Sequence, residues 1–305
     1  MNALNKRDWR QVVWITAIAL ALYVGFRLLP TGTNLHHLDF RVEGRGALEF
    51  CDPANPQFVP VIEARSPVVM TLAAASDGVS APGKETRFVL SLATSSKKPV
   101  GPEDLVLAHT RKLHLLVVDP TLRDYQHVHP EPGAKQGDWT FTLTPRLAGT
   151  YRVFADFTPL ATGRSLYASA DFTVAGEVAV NMNVLSWEAE QDGWHFGLAV
   201  TGGEIRVGKP ADLIFTVTRA DGAGADKLVP LEPVMDAYAH LVAFDTERSG
   251  FAHLHPGDPT VKLDAERPKL DFKITIPRAG IYVIWAQVKL DGRERFVPFW
   301  FEVQA

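Results

Sequence analysis

The sequence predicts an all-β protein: two tandem immunoglobulin-like β-sandwich domains after one N-terminal transmembrane helix. Three observations carry this. A pattern of His, twelve residues, then His-x-His-Pro occurs twice, as HLLVVDPTLRDYQHVHP at 114–130 and HLVAFDTERSGFAHLHP at 240–256. Each copy is followed by Ala-Gly-x-Tyr, with Gly149 and Tyr151 in the first and Gly280 and Tyr282 in the second. From about residue 47 onward, short runs rich in Val, Phe, Leu, Thr and Tyr alternate with Pro, Gly and Asp clusters, and no long 3.6-residue periodicity appears. Self-similarity at fixed spacing is the mark of a repeated structural unit.

The first element is apolar. Lys6, Arg7 and Arg10 precede a run from Val12 to Phe26 broken only by Thr16 and Gly25. With Arg27 snorkelling, the stretch reaches Leu29, and 18 residues span roughly 27 Å, enough for a hydrocarbon core. The basic flank predicts a cytoplasmic N-terminus with the remainder outside, a single-pass inner-membrane topology. A cleaved signal peptide is the rival reading. Its cleavage site, Ala19-Leu20-Ala21, falls inside the apolar run and leaves a short apolar region. The expected organisation is an anchor at 1–30, a polar tether at 31–45, and sandwiches at 46–176 and 177–305.

In the first sandwich the expected strands are Pro67–Ala74, Thr86–Thr94, Leu113–Val118, Asp124–His129, Trp139–Thr144, Tyr151–Phe157 and Ser165–Val174. Seven short strands in about 110 residues fit a sandwich. The second repeats them at Val178–Trp187, Trp194–Val200, Ala211–Thr218, Ala237–Phe244, Gly250–His255, Lys269–Ile276, Ile281–Val288 and Arg295–Val303. Tyr151 and Tyr282 each begin a strand after a glycine turn and are read as structural corner tyrosines. The join at 175–178 is so short that the sandwiches are expected to pack end to end.

The histidines sit on predicted hairpins. With Asp119-Pro120-Thr121-Leu122 and Asp245-Thr246-Glu247-Arg248 as four-residue turns, His114 faces His127 and His240 faces His253. His129 and His255 lie two residues further along the same faces. Two trios result: His114, His127 and His129, and His240, His253 and His255. Three imidazoles on one face of a rigid sheet suit Cu(II) or Zn(II). Asp119, Asp124, Glu131, Asp245 and Asp258 are candidate carboxylates to complete or orient the ligands. The alternative is structural. Tyr125 and Phe251 share those faces, so the rings could be packed core residues, and a one-residue register slip would scatter them. His109 lies near the first cluster, His36 and His37 read as a solvated pair, and His195 reads as a strand residue.

Composition narrows the rest. A net charge of −4 and a pI near 6.2 give no electrostatic case for nucleic acid. One cysteine, Cys51, precludes an intrachain disulfide and a thiolate-rich zinc site. The four methionines (Met1, Met70, Met182 and Met235) are scattered, unlike those of a methionine-rich copper(I) carrier. No nucleophile elbow, zincin helix or phosphate loop is present, so no enzyme is expected.

The two His-x12-His-x-His-Pro segments, each followed by AGTY or AGIY, resemble a bacterial extracytoplasmic β-sandwich module, and more loosely the YtkA-like sandwiches. The resemblance covers about 60 residues of each domain. It implies membrane-anchored heavy-metal handling, with the six histidines as ligands. The competing expectation is a non-catalytic envelope scaffold with a protein partner.

Overall fold

The computed structural model describes residues 6–28, 35–40, 56–75, 81–180, 183–220, 228–257, 264 and 266–305. Cys51 and Asp258 fall outside them. The N-terminal unit contains one helix, α1 (Lys6–Leu28). Its Lys6–Phe26 portion, with a mean hydropathy of 1.4, is long and apolar enough to cross a membrane. A signal sequence near an N-terminus meets the same criterion.

Residues from Leu35 onward form a separate compact unit made of strands. Its first half contains β1 (Val68–Ala74), β2 (Thr86–Thr94), β3 (His114–Val118), β4 (Tyr125–Val128), β5 (Glu131–Pro132), β6 (Asp138–Leu143), β7 (Gly149–Phe157) and β8 (Leu166–Val174). They form two four-stranded sheets in the orders β1-β2-β6-β5 and β4-β3-β7-β8. The second half contains β9 (Glu188–Gln191), β10 (Trp194–Val200), β11 (Ile205–Arg206), β12 (Pro210–Arg219), β13 (Leu231–Glu232), β14 (His240–Asp245), β15 (Phe251–Leu254), β16 (Lys269–Thr275), β17 (Gly280–Leu290) and β18 (Arg293–Gln304). Its sheets run β16-β12-β10-β9 and β11-β18-β17-β14-β15, with β13 beside β17. The expected pair of sandwiches is therefore present. Among the described residues the expected strand Val178–Trp187 is not: Val178, Val180 and Val184 are exposed, and of these residues only Ser186 bridges a neighbour, Trp300. Alternating valines do not hold a strand that has no partner beside it.

Each sandwich closes over its own core. In the first, Phe88, Leu90 and Leu92 of one sheet meet Leu115, Val117, Tyr151 and Val153 of the other. In the second, Phe196, Leu213 and Phe215 meet Leu241, Ile284 and Phe299. Both corner tyrosines behave as expected. Tyr151 Oη accepts from the Leu147 amide at 3.0 Å and donates to Asp124 Oδ2 at 2.6 Å. Tyr282 Oη donates to the Arg278 carbonyl at 3.1 Å.

Two segments before the first strand depart from the expected tether-then-domain order. Leu35 and Phe40, the latter closing a short 3-10 turn (His37–Phe40), are buried in the first core. Residues 57–59 instead pair with the second sandwich, Gln57 beside Thr275 and Val59 beside Phe251, and Phe58 enters its core. Gly250 makes that approach possible, because a Cβ there would stand 1.7 Å from the Val59 carbonyl oxygen. The chain thus touches the second sandwich before building the first.

The sandwiches meet through sheet faces, not end to end. A third apolar cluster joins Leu116, Val118, Leu122, Tyr125 and Phe154 to Val242, Phe244, Phe251, Val283, Trp285 and Trp300. Its aromatic rings pack closely: Phe154 lies 5.4 Å from Phe251, and Tyr125 lies 5.5 Å from Phe244. Burying a second face on each sheet outweighs the directional constraint of a short join. Polar contacts frame the seam. Arg152 Nη1 donates to the Arg248 carbonyl at 2.9 Å, Arg248 Nη1 to the Thr150 carbonyl at 2.7 Å, and Trp285 Nε1 to the Leu122 carbonyl at 3.2 Å.

Within this seam the Tyr125 hydroxyl is buried with no hydrogen-bond partner. A buried hydroxyl left unpaired costs about 1–3 kcal/mol. Tyr125→Phe is therefore expected to stabilise the protein by about 1 kcal/mol, read as a shift of the chemical-denaturation midpoint. A loss of stability would show that the hydroxyl is satisfied in solution.

Candidate metal centre

Alternation along each strand decides where the histidines point. On β3, Leu115 and Val117 enter the first core, so His114, Leu116 and Val118 face the seam. On β4, Tyr125 faces the seam and His127 follows it on the same side. In the second sandwich, Leu241 and Ala243 point inward, while His240, Val242 and Phe244 face outward across the seam. Phe251 and His253 of β15 lie on that same face. The sequence reading offered packed core or metal face as alternatives. The structure combines them: the apolar half of each face is sealed by the opposing domain, and the histidine half ends at a groove.

The hairpin register differs from the four-residue-turn expectation by two residues. Leu116, not His114, pairs with His127, and Val242, not His240, pairs with His253. The connections are longer because their aspartates gather backbone donors. Asp119 accepts from the amides of Thr121, Arg123 and Asp124 at 2.7–2.8 Å, and Asp245 accepts from the Ser249 amide at 2.6 Å and its hydroxyl at 2.5 Å. A slip of two conserves the face, so the trios survive. Each histidine offers one ring nitrogen, and within either trio these lie within 4.8 Å of one another. Nitrogens around a tetrahedral ion with bonds near 2.0–2.1 Å sit roughly 3.4 Å apart, so each trio needs only side-chain adjustment to close on a metal.

The two trios are not separate. His127 and His253 have ring centroids 5.5 Å apart, and His114 and His253 are 5.8 Å apart. Distances within a trio are similar, 4.6 Å for both His127–His129 and His253–His255. A seventh ring, His109, stacks on His255 with centroids 3.8 Å apart. A groove of about 860 Å³ opens beside His127 and His129, also lined by Arg111, Met235, Gln287 and Lys289.

Hydrogen bonds fix most of the tautomers. His114 Nε2 lies 3.1 Å from the Ala108 carbonyl and His240 Nε2 lies 2.8 Å from the Val234 carbonyl. A carbonyl only accepts, so in each case Nε2 carries the hydrogen and Nδ1 the lone pair. Gln287 donates through Nε2 to Glu294, which turns its Oε1 to His127 Nδ1 at 2.8 Å. His127 therefore donates through Nδ1 and keeps its lone pair on Nε2. That lone pair faces the one on His114 Nδ1 across 3.2 Å, with no hydrogen between neutral rings. His253 Nδ1 lies 3.1 Å from Asp156 Oδ2, whose carboxyl is pushed up to about 7 by burial. His129 Nε2, His240 Nδ1, His253 Nε2 and His255 Nε2 are buried with no partner.

Protonation does not resolve these unpaired nitrogens. Burial lowers His114 to about 4, His129 to about 3 and His240 to about 4. It also holds His127, His253 and His255 well below the ordinary histidine value, with neighbouring rings adding to the effect. The rings are neutral at neutral pH, and each keeps one nitrogen with a lone pair.

The carboxylates named from sequence do other work. Asp119 and Asp245 organise turns, Asp124 holds Tyr151, and Glu131 lies 3.7 Å from Arg111. Sequence reading missed Asp156 and Gln287. They occupy matching places, Asp156 opposite His114 and Gln287 opposite His240. Each orients a ring of the other sandwich. The signal was available: period-two alternation puts Tyr151, Val153, Ala155 and Phe157 on one face of β7, which leaves Asp156 on the histidine face. Of the lesser histidines, His36 and His37 lie against each other with tilted rings, centroids 3.9 Å apart, and His195 lies 3.7 Å from Glu188.

Comparisons with known proteins are consistent with the repeat. No curated protein sequence matches the chain. Among solved structures, a red sea bream transglutaminase aligns with 79% of this chain and 31% of its own, at 11% identity and a TM-score of 0.24. A DUF4785 family protein from Legionella pneumophila aligns with 77% of this chain and 54% of its own, at 11% identity and a TM-score of 0.25. An E. coli alpha-2-macroglobulin aligns with 77% of this chain and 17% of its own, at 13% identity and a TM-score of 0.21. The chain spans well under two thirds of each, the likenesses are distant, and no property of those proteins carries over. A family described as a domain of unknown function, DUF8832, matches residues 68–176 and again 189–305. The chain belongs to that family and carries its domain twice.

Proposed function

We propose that this protein is a membrane-anchored, extracytoplasmic metal-binding protein that holds Cu(II) or Zn(II) at two histidine trios: His114, His127 and His129, and His240, His253 and His255. One observation carries the reading. Within each trio one ring nitrogen from every histidine lies within 4.8 Å of the others, and His129 Nε2, His240 Nδ1, His253 Nε2 and His255 Nε2 are buried without a protein hydrogen-bond partner. Buried polar atoms are rarely left unpaired, and a cation satisfies all three at once. Neutral imidazole without thiolate suits divalent copper or zinc, and divalent copper binds most tightly at such sites.

Further support comes from the surroundings. Asp156 and Gln287 orient coordinating rings through their distal nitrogens, as outer partners do in metal sites. The groove gives an entry path. The apolar N-terminal helix supports anchorage in the inner membrane with the sandwiches on the periplasmic side, and the basic residues before it set that orientation. The resemblance to YtkA-like modules points the same way. A protein partner in the envelope would collect or deliver the ion at the groove; nucleic acid is not a partner at this charge. The protein acts by binding rather than by catalysis.

Equilibrium dialysis of the detergent-solubilised full chain against Cu(II) and Zn(II) is expected to give two equivalents. Alanine at His114, His127 and His129 removes one, and alanine at all six removes both. Binding no higher than that of the six-fold variant would defeat the reading and leave the scaffold alternative.

Asp156→Ala is expected to weaken the trio of the opposite sandwich by about 10–100-fold, the usual effect of losing an outer partner. In a variant whose first trio is already alanine, the loss remains if His253 is its target. An unchanged dissociation constant there would show that the Asp156 contact does not orient a ligand.

Folding stability without metal should fall in mild acid. His114, His129 and His240 bind a proton near pH 3–4 when folded and near 6.5 when unfolded. Asp156, pushed up to about 7 by burial, binds a proton in the folded chain over the same range and offsets one of these three; the unfolded chain still takes up more protons on balance, so stability declines as pH falls from about 6.5 towards 4. Denaturation midpoints measured from pH 8 to 4 in chelator check this. A flat profile would mean the rings are solvated.

A further inference from the structure

The two trios stand nearly as close to each other as their own members do. Across the seam, ring centroids are 5.5 Å apart for His127 and His253, 5.8 Å for His114 and His253, and 6.4 Å for His127 and His240. Inside the second trio, His240 and His253 are also 5.8 Å apart. The seam sets this spacing. β3 and β4 bring His114 and His127 to one side of it, and β14 and β15 bring His240 and His253 to the other. Packing of Tyr125 on Phe244 and of Phe154 on Phe251 holds the two faces together.

That spacing limits how far apart two bound ions can be. With a metal–nitrogen bond of about 2.0–2.1 Å, an ion in the plane of an imidazole stands roughly 3.2 Å from the ring centroid. Ions bound by His127 and His253 are therefore at most roughly 12 Å apart. Two dications at roughly 12 Å repel enough to weaken binding about tenfold even at the dielectric constant of water, and more at the lower effective value of a protein. The six imidazoles are neutral and bring no charge to oppose this. Among the described residues, one carboxyl lies within hydrogen-bonding distance of a trio ring, that of Asp156 against His253. A fixed carboxylate attracts either ion but leaves the repulsion between them in place. The cations Arg111 and Lys289 of the groove lie beside carboxylates of their own, Glu131 and Glu232.

We propose that the two trios form one two-ion centre whose ions oppose each other: the first Cu(II) or Zn(II) is held firmly, and the second binds at least about tenfold more weakly than its trio would bind it alone. This inference rests on the metal-binding reading and adds to it a division between a retained ion and an exchangeable one. The exchangeable ion is the one a partner at the groove takes or supplies.

The test uses the full chain in detergent at about pH 8 and low ionic strength, where screening is least. Stepwise Zn(II) constants are measured by competition with a chelator of known affinity. The second ion of the wild-type chain is expected to bind at least about tenfold more weakly than the single ion of either variant carrying alanine throughout one trio. Coupling is reciprocal, so the deficit is the same whichever trio fills first. Electron paramagnetic resonance of Cu(II) reads the same pairing in the wild-type chain and does not depend on the variants folding. One equivalent is expected to give the spectrum of isolated ions. Two equivalents should give a spectrum broadened by the dipolar field of a neighbour within roughly 12 Å. A two-equivalent spectrum that is simply double the first, or a second ion bound as tightly as in the variants, would overturn the coupling and leave metal binding in place. Failure of the wild-type chain to bind copper or zinc would overturn both.

Discussion

The face-to-face packing of two histidine-bearing sheets is the constraint on which the rest of the structure depends. An isolated sandwich needs one buried face per sheet. Here β3, β4 and β7, and their counterparts β14, β15 and β17, are buried on both. Phe154, Phe244, Phe251 and Trp285 fill the seam at one end of those faces. The strands then carry His114, His127, His240 and His253 into mutual contact at the other. Apolar burial is non-directional and supplies the force; strand alternation supplies the direction. Because both faces of each strand are occupied, neither hairpin can slip by one residue without losing a core and a seam together.

Much of this was legible in the sequence. Repetition of the histidine and Gly-x-Tyr patterns gave two domains, and period-two alternation gave the strands and the side on which each histidine falls. The parity was robust where the register was not. Turn chemistry assigned four residues to each hairpin connection, but Asp119 and Asp245 capture amides further along and widen both loops by the same amount. Two is the one small error that leaves His127 and His129 on their expected face.

What escaped the sequence was everything decided by the domain–domain contact. No pattern within residues 57–59 says that they pair with strands more than 190 positions away; only Gly250, lacking a side chain, admits them. Asp156 and Gln287 carry no motif and differ from one another, so their equivalence appears only once each is seen opposite a histidine in its own sheet.

The same contact explains why the domain is present twice in one chain. A single sandwich would still carry three histidines on one face, but not the groups that orient them. The partner of His253 comes from the first sandwich and the acceptor for His127 from the second. The carbonyls that fix His114 and His240 are local, so each trio has one ring held by its own domain and one held by the other. Ligand orientation is therefore a property of the pair. Separating the sandwiches would expose aromatic residues and also free His127 and His253 to choose either tautomer. Covalent linkage guards against this. The short join at 175–178 and the early strap through Phe58 and Val59 keep the second domain within reach of the first. The geometry that would receive a metal is therefore set by the packing of the two domains.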